Sequence, residues 1–217
     1  MYVPRYYAVT EKEEMVAFMQ NYPFGLIITS NEGQPVATHI PLEVEIRGED
    51  LYLTGHIASV NPQSELLGQR DCSVLAVFHG AHTYISSSWY GHPNVPTWNY
   101  TAVHAYGQAS LISSPDQARK LMKDLMQKYE QGQQKPTAWD SVPEKMMQGM
   151  LKEITCFEIK VERMEATYKL SQNRNTKDFE AIVDKLDGLG WQDREVADQM
   201  RVVRQAQTNR LFTKTSQ

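Results

Sequence analysis

Cysteine and long apolar runs are both scarce in this 217-residue chain. It has two cysteines, Cys72 and Cys156, both within apolar stretches, which suggest neither a disulfide framework nor a thiolate metal site. We expect both to be small buried side chains. No apolar run approaches the roughly 18 residues that a membrane span needs, and the N-terminus has no hydrophobic signal core. The sequence therefore predicts a cytoplasmic protein without a membrane partner.

Positive charge is also in short supply. The chain has 22 Lys and Arg against 26 Asp and Glu, a formal net charge of -4. Proteins that bind nucleic acid through its phosphates need a concentrated cationic face, so DNA binding is possible but is not supported by charge. The hydrophobic fraction of 41% and the charged fraction of 22% are those of an ordinary globular chain, long enough to bury a sizeable core.

The common catalytic and nucleotide motifs are missing. There is no Gly-x-x-x-x-Gly-Lys phosphate loop, and Gly188-Leu189-Gly190 follows a polar helix-like segment rather than a strand. Neither a Gly-x-Ser-x-Gly elbow nor a His-Glu-x-x-His helix occurs. We therefore expect neither a nucleotide fold of those types nor a common hydrolase, and no catalytic residue can be named.

All six histidines lie in the first half of the chain: His39, His56, His79, His82, His92 and His104. The spacing of His79 and His82 could begin a metal site, but no carboxylate or cysteine partner stands at a fixed spacing from them. Hydrogen-bonded structural roles are the better interpretation, and we expect no metal.

Alternating and compact apolar runs predict several strands in the first half. A capping box at Thr10 and Glu13 begins a helix that Pro23 ends. Strands are predicted at 25–30, 35–46, 51–57, 73–78, 84–90 and 98–112, with a turn at 31–34 and a short helix at 63–67. The first strands are connected as hairpins.

Helices dominate the second half. Ser114 and Pro115 are a cap and a first helical residue, and apolar side chains then recur at helical spacing as far as Tyr129. Further helices are predicted near 143–151, 177–186 and 194–208, with a strand near 155–161. Five to seven strands connected by hairpins, with late helices, indicate a mainly β (α+β) protein built on a closed or nearly closed antiparallel barrel.

Aromatic rings and hydroxyl groups are concentrated between residues 84 and 100. Three serines, two tryptophans and several tyrosines fall in this run. Rings offer stacking area while amides and hydroxyls can meet carbonyls and ring nitrogens, so the composition suits a planar ligand rich in heteroatoms. A barrel rim or a dimer seam, where aromatic residues also gather, is the alternative.

Five blocks of the sequence extend together over nearly the whole chain. The blocks are Met1-Tyr2-Val3-Pro4; the run from Thr54 to Gln63; Phe78-His79-Gly80 with Tyr84-Ile85-Ser86; Val95-Pro96-Thr97-Trp98-Asn99-Tyr100 with Val103-His104; and Lys169-Leu170-Ser171-Gln172-Asn173-Arg174. These blocks resemble those of the PaiB-type FMN-binding regulators, and their order and spacing make a chance match improbable. The resemblance departs at Ser59, a position where the family often has a basic residue.

The resemblance implies a split β-barrel like that of the pyridoxamine-phosphate-oxidase flavoproteins. It also implies a homodimer with FMN in clefts at the dimer interface. On this basis residues 1–170 form the FMN-binding barrel domain, with a helical insert at about 114–151, and residues 171–217 form a helical extension packed on the barrel.

Candidate residues for each part of FMN follow from these blocks. Lys169 and Arg174 can make charge-assisted contacts to the phosphate, although a solvated turn would explain the same residues. Ser59 and Asn61 are neutral donors beside them, and Gln172 and Asn173 complete the polar set.

The flavin ring has its own candidates. Residues on two strands could place backbone amides along the flavin edge, and Gly55 would allow close approach; this set is Thr38, His39, Ile40, Thr54, Gly55 and His56. Residues from the partner subunit could cover the ring; they are Trp98, Asn99, Tyr100 and His104. By itself His104 is a typical barrel histidine.

The resemblance implies a negative regulator of transcription that binds FMN. The sequence itself shows no helix-turn-helix with a basic recognition face. The alternative is a flavin-dependent oxidoreductase, in which FMN does the redox chemistry. A haem-binding or haem-degrading split-barrel protein is a third, less favoured alternative.

Overall fold

The computed structural model describes the backbone of residues 1–215 and the side chains of residues 1–208. The strands are β1 (Ala8–Val9), β2 (Phe24–Asn31), β3 (Gln34–Pro41), β4 (Glu43–Arg47), β5 (Asp50–Ala58), β6 (Cys72–Ile85), β7 (Thr97–Leu111) and β8 (Ile154–Lys169). The helices are α1 (Lys12–Asn21), α2 (Gln63–Leu67), α3 (Pro115–Glu130), α4 (Glu144–Lys152), α5 (Thr176–Asp187) and α6 (Trp191–Thr215).

The strands form one sheet in the order β3-β2-β6-β7-β8-β5-β4, and β1 pairs with β8. The pairs β2/β3, β2/β6, β4/β5, β5/β8 and β1/β8 are antiparallel. The predicted turn at 31–34 is confirmed, because Asn31 faces Gln34 at the end of the hairpin. Glu32 and Gly33 between them both have positive φ, the conformation of a tight hairpin turn.

Two strand predictions were wrong. The run 35–46 is divided between β3 and β4 at Leu42, whose side chain is fully buried and whose N–H donates to the Pro23 carbonyl. Residues 84–90 are not a strand: β6 ends at Ile85, and the Ser86 side chain caps a single 3₁₀ turn at Ser87–Trp89. The described chain has eight strands rather than five to seven, because β1 carries no periodic pattern and the run 35–46 is split.

The helix predictions were more accurate. The Ser114 side chain accepts a hydrogen bond from the Gln117 N–H, and Pro115 occupies the first turn of α3. Helix α2 has the predicted bounds, and Gln63 at its start is fully buried with its side-chain nitrogen donating to Thr29 at 3.0 Å. Helix α6 continues beyond the predicted end at residue 208.

The chain divides into two compact units, and β6, β7 and β8 contribute residues to both. The first unit contains Met1–Phe18, His79–Val103 and the described residues from Glu165 onward. Its core joins α5 and α6 to β6 and to the loop after it, with Ile85, Tyr90 and Leu170 among the buried side chains. The C-terminal helices are therefore an integral part of this unit.

The second unit contains Met19–Phe78 and His104–Met164. Its buried side chains come mainly from β2, β5, β6 and β8, with Ile27, Leu53, Phe78 and Phe157 all fully buried. Helices α3 and α4 also belong to this unit, and Met147 is the buried residue of the pair.

Three further observations concern membranes, thiols and metals. No helix among the described residues combines the length and apolar character needed to cross a membrane. Cys156 is buried and Cys72 is half-buried, and burial raises the pKa of both thiols. Within the described part of the chain, no cluster of three or more His, Cys, Asp or Glu residues has the arrangement of a metal site.

Candidate functional site

The turn between β8 and α5 has a strained backbone that its side chains hold in place. Ser171 has a φ of 58°, a conformation that costs a non-glycine residue about 1–3 kcal/mol. The Gln172 side chain closes the turn: its oxygen accepts from the Leu170 N–H at 2.7 Å, and its nitrogen donates to the Tyr168 carbonyl at 2.6 Å. Because both amide atoms of Gln172 are bonded to backbone, this predicted ligand residue builds the turn.

The same turn holds two cations near one another. The Lys169 ammonium donates to the Thr97 hydroxyl, and the Arg174 guanidinium carbon lies 4.7 Å from the centre of the Tyr90 ring. Burial lowers the pKa of Lys169, and the charge of Arg174 lowers it further. Neither cation forms an ion pair of 4.0 Å or less with a carboxylate among residues 1–208. The predicted Asn173 beside them is exposed.

Two tyrosines accompany these cations. Tyr90 is 8% exposed, and its hydroxyl has no hydrogen-bond partner in the described part of the chain. The pKa of Tyr7 is raised chiefly by burial; the charge of Arg174 lowers it, and Tyr6 and Tyr90 raise it. Arg174, Lys169 and Tyr90 form one polar cluster.

The predicted segment at the start of β7 has one buried face and one exposed face. Asn99 is fully buried; its oxygen accepts from the Ser171 hydroxyl at 3.0 Å, and its nitrogen lies 3.4 Å from the Met200 sulfur. Trp98 is 53% exposed, and its ring centre lies 6.0 Å from that of Tyr84. Tyr100 is half-buried. The segment thus offers an open aromatic surface anchored by a buried amide.

A buried carboxylate fixes the loop that precedes this segment. Asp178, 2% exposed near the start of α5, accepts from the Gly91 N–H at 3.0 Å and from the Asn175 amide at 2.7 Å. The His92 ring nitrogen lies 3.4 Å from its second oxygen. The Gly91 N–H is the main cause of the lowered pKa of Asp178. The hydrogen bond from Gly91 to Asp178 therefore connects the loop to α5.

In the second unit, the predicted neutral donors are bonded to their neighbours. The Asn61 amide donates to the Thr38 hydroxyl at 3.0 Å, and its oxygen accepts from the Gln63 N–H at 2.9 Å. The Ser59 hydroxyl is 3.1 Å from that of Thr155. These bonds join the loop after β5 to its neighbouring strands, so Asn61 and Thr38 form one local group.

Gly55 has a packing reason to be glycine. A Cβ there would lie 3.2 Å from the side chains of Leu42 and Phe157 and 3.4 Å from Ile40. The space beside its Cα is therefore filled by apolar side chains of its own unit, including the predicted Ile40.

The remaining predicted residues of the second unit have partners of their own. The Thr54 hydroxyl, buried, donates to Glu45 at 3.3 Å, and burial lowers the pKa of His56. The His39 ring stacks on Phe24 with centres 6.3 Å apart. The half-buried His104 has its ring centre 6.4 Å from that of Tyr106.

The predicted residues thus fall into two sets, one in each unit. The set of the first unit is brought together by the Ser171–Asn99 and Lys169–Thr97 contacts. Sequence reasoning did not select Tyr7, Tyr90 or Asp178. Tyr90 lies within the aromatic run from residue 84 to residue 100, but Tyr7 and Asp178 carry no local signal, because their partners are distant in sequence.

Comparison with known proteins gives a family match. The family described as "Putative FMN-binding domain" matches residues 1–163. A curated Bacillus subtilis protein, Protease synthase and sporulation protein PAI 2, is 44% identical over 186 residues, which is 86% of this chain and 89% of that protein.

Solved structures show a similar fold at low sequence identity. The flavocytochrome Anf3 from Azotobacter vinelandii has a TM-score of 0.57 and 15% identity, covering 82% of this chain and 78% of its own. The FAD and haem binding protein from Mycobacterium smegmatis has a TM-score of 0.52 and 14% identity, covering 75% and 73%. With the antiparallel sheet of eight strands, these matches confirm the predicted split-barrel fold.

Proposed function

Because the chain belongs to the FMN-binding family, is of the PaiB type and uses FMN as its cofactor, we propose that it is a homodimeric negative regulator of transcription. The observation that carries this proposal is the 44% identity to the Bacillus subtilis protein over 86% of the chain. The name of that relative refers to protease synthase and to sporulation. We place the protein in the cytoplasm.

FMN fits the polar cluster of the first unit. Its phosphate needs cations and hydrogen-bond donors, and the cluster has Lys169 and Arg174 without ion pairs among residues 1–208, together with the unpartnered hydroxyl of Tyr90. We propose that Lys169 and Arg174 contact the phosphate, with Ser59 and Asn61 as neutral donors. When bound, FMN supplies hydride or single-electron transfer.

The isoalloxazine ring has its own proposed contacts. Trp98, exposed beside Tyr84, offers stacking area of the kind that a flat ring needs. We propose that Trp98, Asn99, Tyr100 and His104 reach the ring from the partner subunit, and that Gln172 and Asn173 support them. The backbone of Thr38, His39, Ile40, Thr54, Gly55 and His56 is proposed to line the flavin edge.

The homodimer has independent support from exposed apolar side chains. Trp98, Tyr84 and Val95 are 53%, 45% and 69% exposed, and an apolar group of this kind favours burial against another surface. If FMN is bound at the dimer interface, this one surface serves both to contact the partner subunit and to hold the flavin.

Two domains are part of the proposal. We propose that residues 1–170, with the insert at about 114–151, form the FMN-binding barrel domain, and that residues 171–217 form a helical extension packed on it; residues 216–217 lie outside the described part of the chain. The family match ends at residue 163, inside β8, so the C-terminal helices lie outside the matched residues.

The decisive experiment pairs an FMN titration with a transcript comparison. The purified protein should show a flavin spectrum, saturable FMN binding and the mass of a dimer. Cells that carry Trp98→Ala, which weakens FMN binding, should show altered levels of the same transcripts as cells without the gene. Unchanged transcripts in both strains, with rapid reduction of bound FMN by NADH, would indicate the oxidoreductase instead.

A further inference from the structure

Helix α3 is amphipathic but buries little of its apolar face. No side chain from Pro115 to Glu130 is buried. The apolar stripe of the helix is only half-buried; it consists of Ala118, Leu121, Met122, Leu125 and Met126. A helix in a protein gains most of its stability by packing such a stripe against its neighbours. Incomplete burial of the stripe means that the protein's own side chains leave space beside α3.

The larger part of that space is a cavity of about 580 Å³ between the first turn of α3, the last turn of α4 and the adjoining ends of β7 and β8. All four elements contribute through residues of the second unit. Small-molecule sites have volumes of roughly 300–1,000 Å³ and mostly apolar walls. Leu111, Ile112, Leu151 and Ile154 supply such a wall here, and Leu111 is 41% exposed. The cavity can therefore bury the apolar body of a small ligand.

The charges around the cavity indicate the sign of the ligand. The Arg119 guanidinium donates to both carboxylate oxygens of Glu144. That pair is the main cause of the raised pKa of Arg119, and the charge of Asp116 raises it further. Lys152 also lines the cavity, is exposed and forms no ion pair of 4.0 Å or less within residues 1–208. Lys152 is therefore available to an anionic group of the ligand.

The other polar groups of the cavity do not oppose an anion. Ser113, exposed between β7 and α3, offers a hydroxyl donor. Cys156 is only 5% exposed, and burial raises the pKa of its thiol, so the side chain stays neutral at neutral pH. The Ser114 hydroxyl is already used as the cap of α3. A single negative charge on an otherwise apolar ligand fits this arrangement.

We propose that the cavity binds a small monocarboxylate, with its apolar body against the wall of Leu111, Ile112, Leu151 and Ile154 and its carboxylate at Lys152 and Ser113. This gives the protein a second ligand beyond FMN, because none of the residues proposed to contact FMN lines the cavity. The two sites come closest where Thr155 of the cavity has its hydroxyl 3.1 Å from that of Ser59.

Calorimetric titration of the protein with octanoate tests the ligand class. We expect saturable binding at one site per chain. Hexanoate should bind about tenfold more weakly, because two fewer CH₂ groups are buried. Octylamine has the same chain with a positive charge, so it should not bind. Equal affinity for octanoate and hexanoate would overturn the buried body, and equal affinity for octanoate and octylamine would overturn the anionic head group.

Variants with matched controls test the location. Lys152→Gln should weaken octanoate binding about tenfold by removing a charged hydrogen-bond donor. Lys145→Gln, on the same helix but outside the cavity, should not. Ala118→Phe fills the cavity and should abolish binding, whereas Ala17→Phe, at an exposed position on α1, should not. Octanoate that binds Lys152→Gln and Ala118→Phe as tightly as the natural protein would overturn the proposal.

A titration in the presence of FMN separates this site from the flavin site. Octanoate should bind equally well to the protein saturated with FMN. Competition between the two would place the carboxylate in the flavin site, which overturns this proposal and leaves flavin binding intact. If FMN does not bind at all, the proposed function fails, while octanoate binding that responds to Lys152→Gln still supports the second site.

Discussion

The Ser171 hydroxyl donates a 3.0 Å hydrogen bond to the side-chain oxygen of Asn99, and both residues are buried. This bond connects the strained turn after β8 to the first residues of β7. It therefore links two of the five sequence blocks that carry the family resemblance, and it explains how one set of contacts positions both Lys169 and Trp98.

Ser171→Ala tests this link. The change leaves the buried Asn99 oxygen without its partner, so we expect the free energy of unfolding to fall by about 1–3 kcal/mol. Urea denaturation measures the loss. Ser30→Ala is the control, because Ser30 is exposed on β2 and should change the stability by less than about 0.5 kcal/mol. Equal stability of both variants would contradict a structural role for the bond.

Alanine substitutions at Gly107 and Gly149 should change the stability of the protein in opposite directions. A Cβ at Gly107 would lie 2.0 Å from the Lys160 carbonyl oxygen on β8, so Gly107→Ala must push two paired strands apart. We expect it to destabilise the protein by about 1–3 kcal/mol. Gly149 in α4 has nothing within 4 Å of such a Cβ, so Gly149→Ala should stabilise by about 0.5–1 kcal/mol. Thermal unfolding of the two variants should therefore move in opposite directions.

Local chemistry made parts of this fold predictable. The cap at Ser114 fixed the start of α3, and the turn residues at 31–34 gave the first hairpin. The break at Leu42 was not predictable, because apolar alternation continues through it and the break depends on a bond to Pro23. Likewise, the serine-rich run after Ile85 looks extended, and only its own hydroxyl cap turns it into a 3₁₀ turn.

Likewise, only some residues of the candidate site could be predicted from the sequence. Lys169 and Arg174 could be selected because they belong to one continuous block, whereas Tyr90 joins them only through tertiary structure. The sequence also suggested an open approach at Gly55, but its Cα faces Leu42 and Phe157. The long strands β6, β7 and β8 bring distant segments together, and no local sequence pattern predicts which of these segments meet.

Trp98→Ala should weaken flavin binding. An exposed indole beside Tyr84 loses its stacking area when truncated, and we expect the FMN dissociation constant to rise about tenfold. Flavin fluorescence quenching measures it. Trp191, which is 75% exposed at the start of α6, gives the control Trp191→Ala. If both variants bind FMN as the natural protein does, Trp98 has been assigned to the wrong surface.

Asp178 should make stability depend on pH in the acid range. Its pKa is lowered below the ordinary 3.8, mainly because the ionised carboxylate accepts from the Gly91 N–H. A group with a lowered folded pKa contributes stability that is fully present above its unfolded value and is lost as pH falls through the folded value. Asp178→Asn should therefore be less stable than the natural protein at neutral pH, and the difference should shrink below about pH 4.

Urea denaturation at a series of pH values tests this dependence. Asp184→Asn is the matched control, because Asp184 is exposed on the same helix. A constant difference between the natural protein and Asp178→Asn at every pH would show that the variant acts by altered packing and that the carboxylate charge is not involved.

Lys169 should take up protons when a dianion binds. Burial and the charge of Arg174 lower its pKa in the ligand-free protein, so the side chain loses its proton at a lower pH than an ordinary lysine does. A phosphate dianion near Lys169 favours the charged form and raises the pKa again. Calorimetry of phosphate binding in two alkaline buffers with different ionisation enthalpies measures the protons taken up. In Lys169→Gln the uptake should disappear, and uptake that persists there would assign the proton to another group.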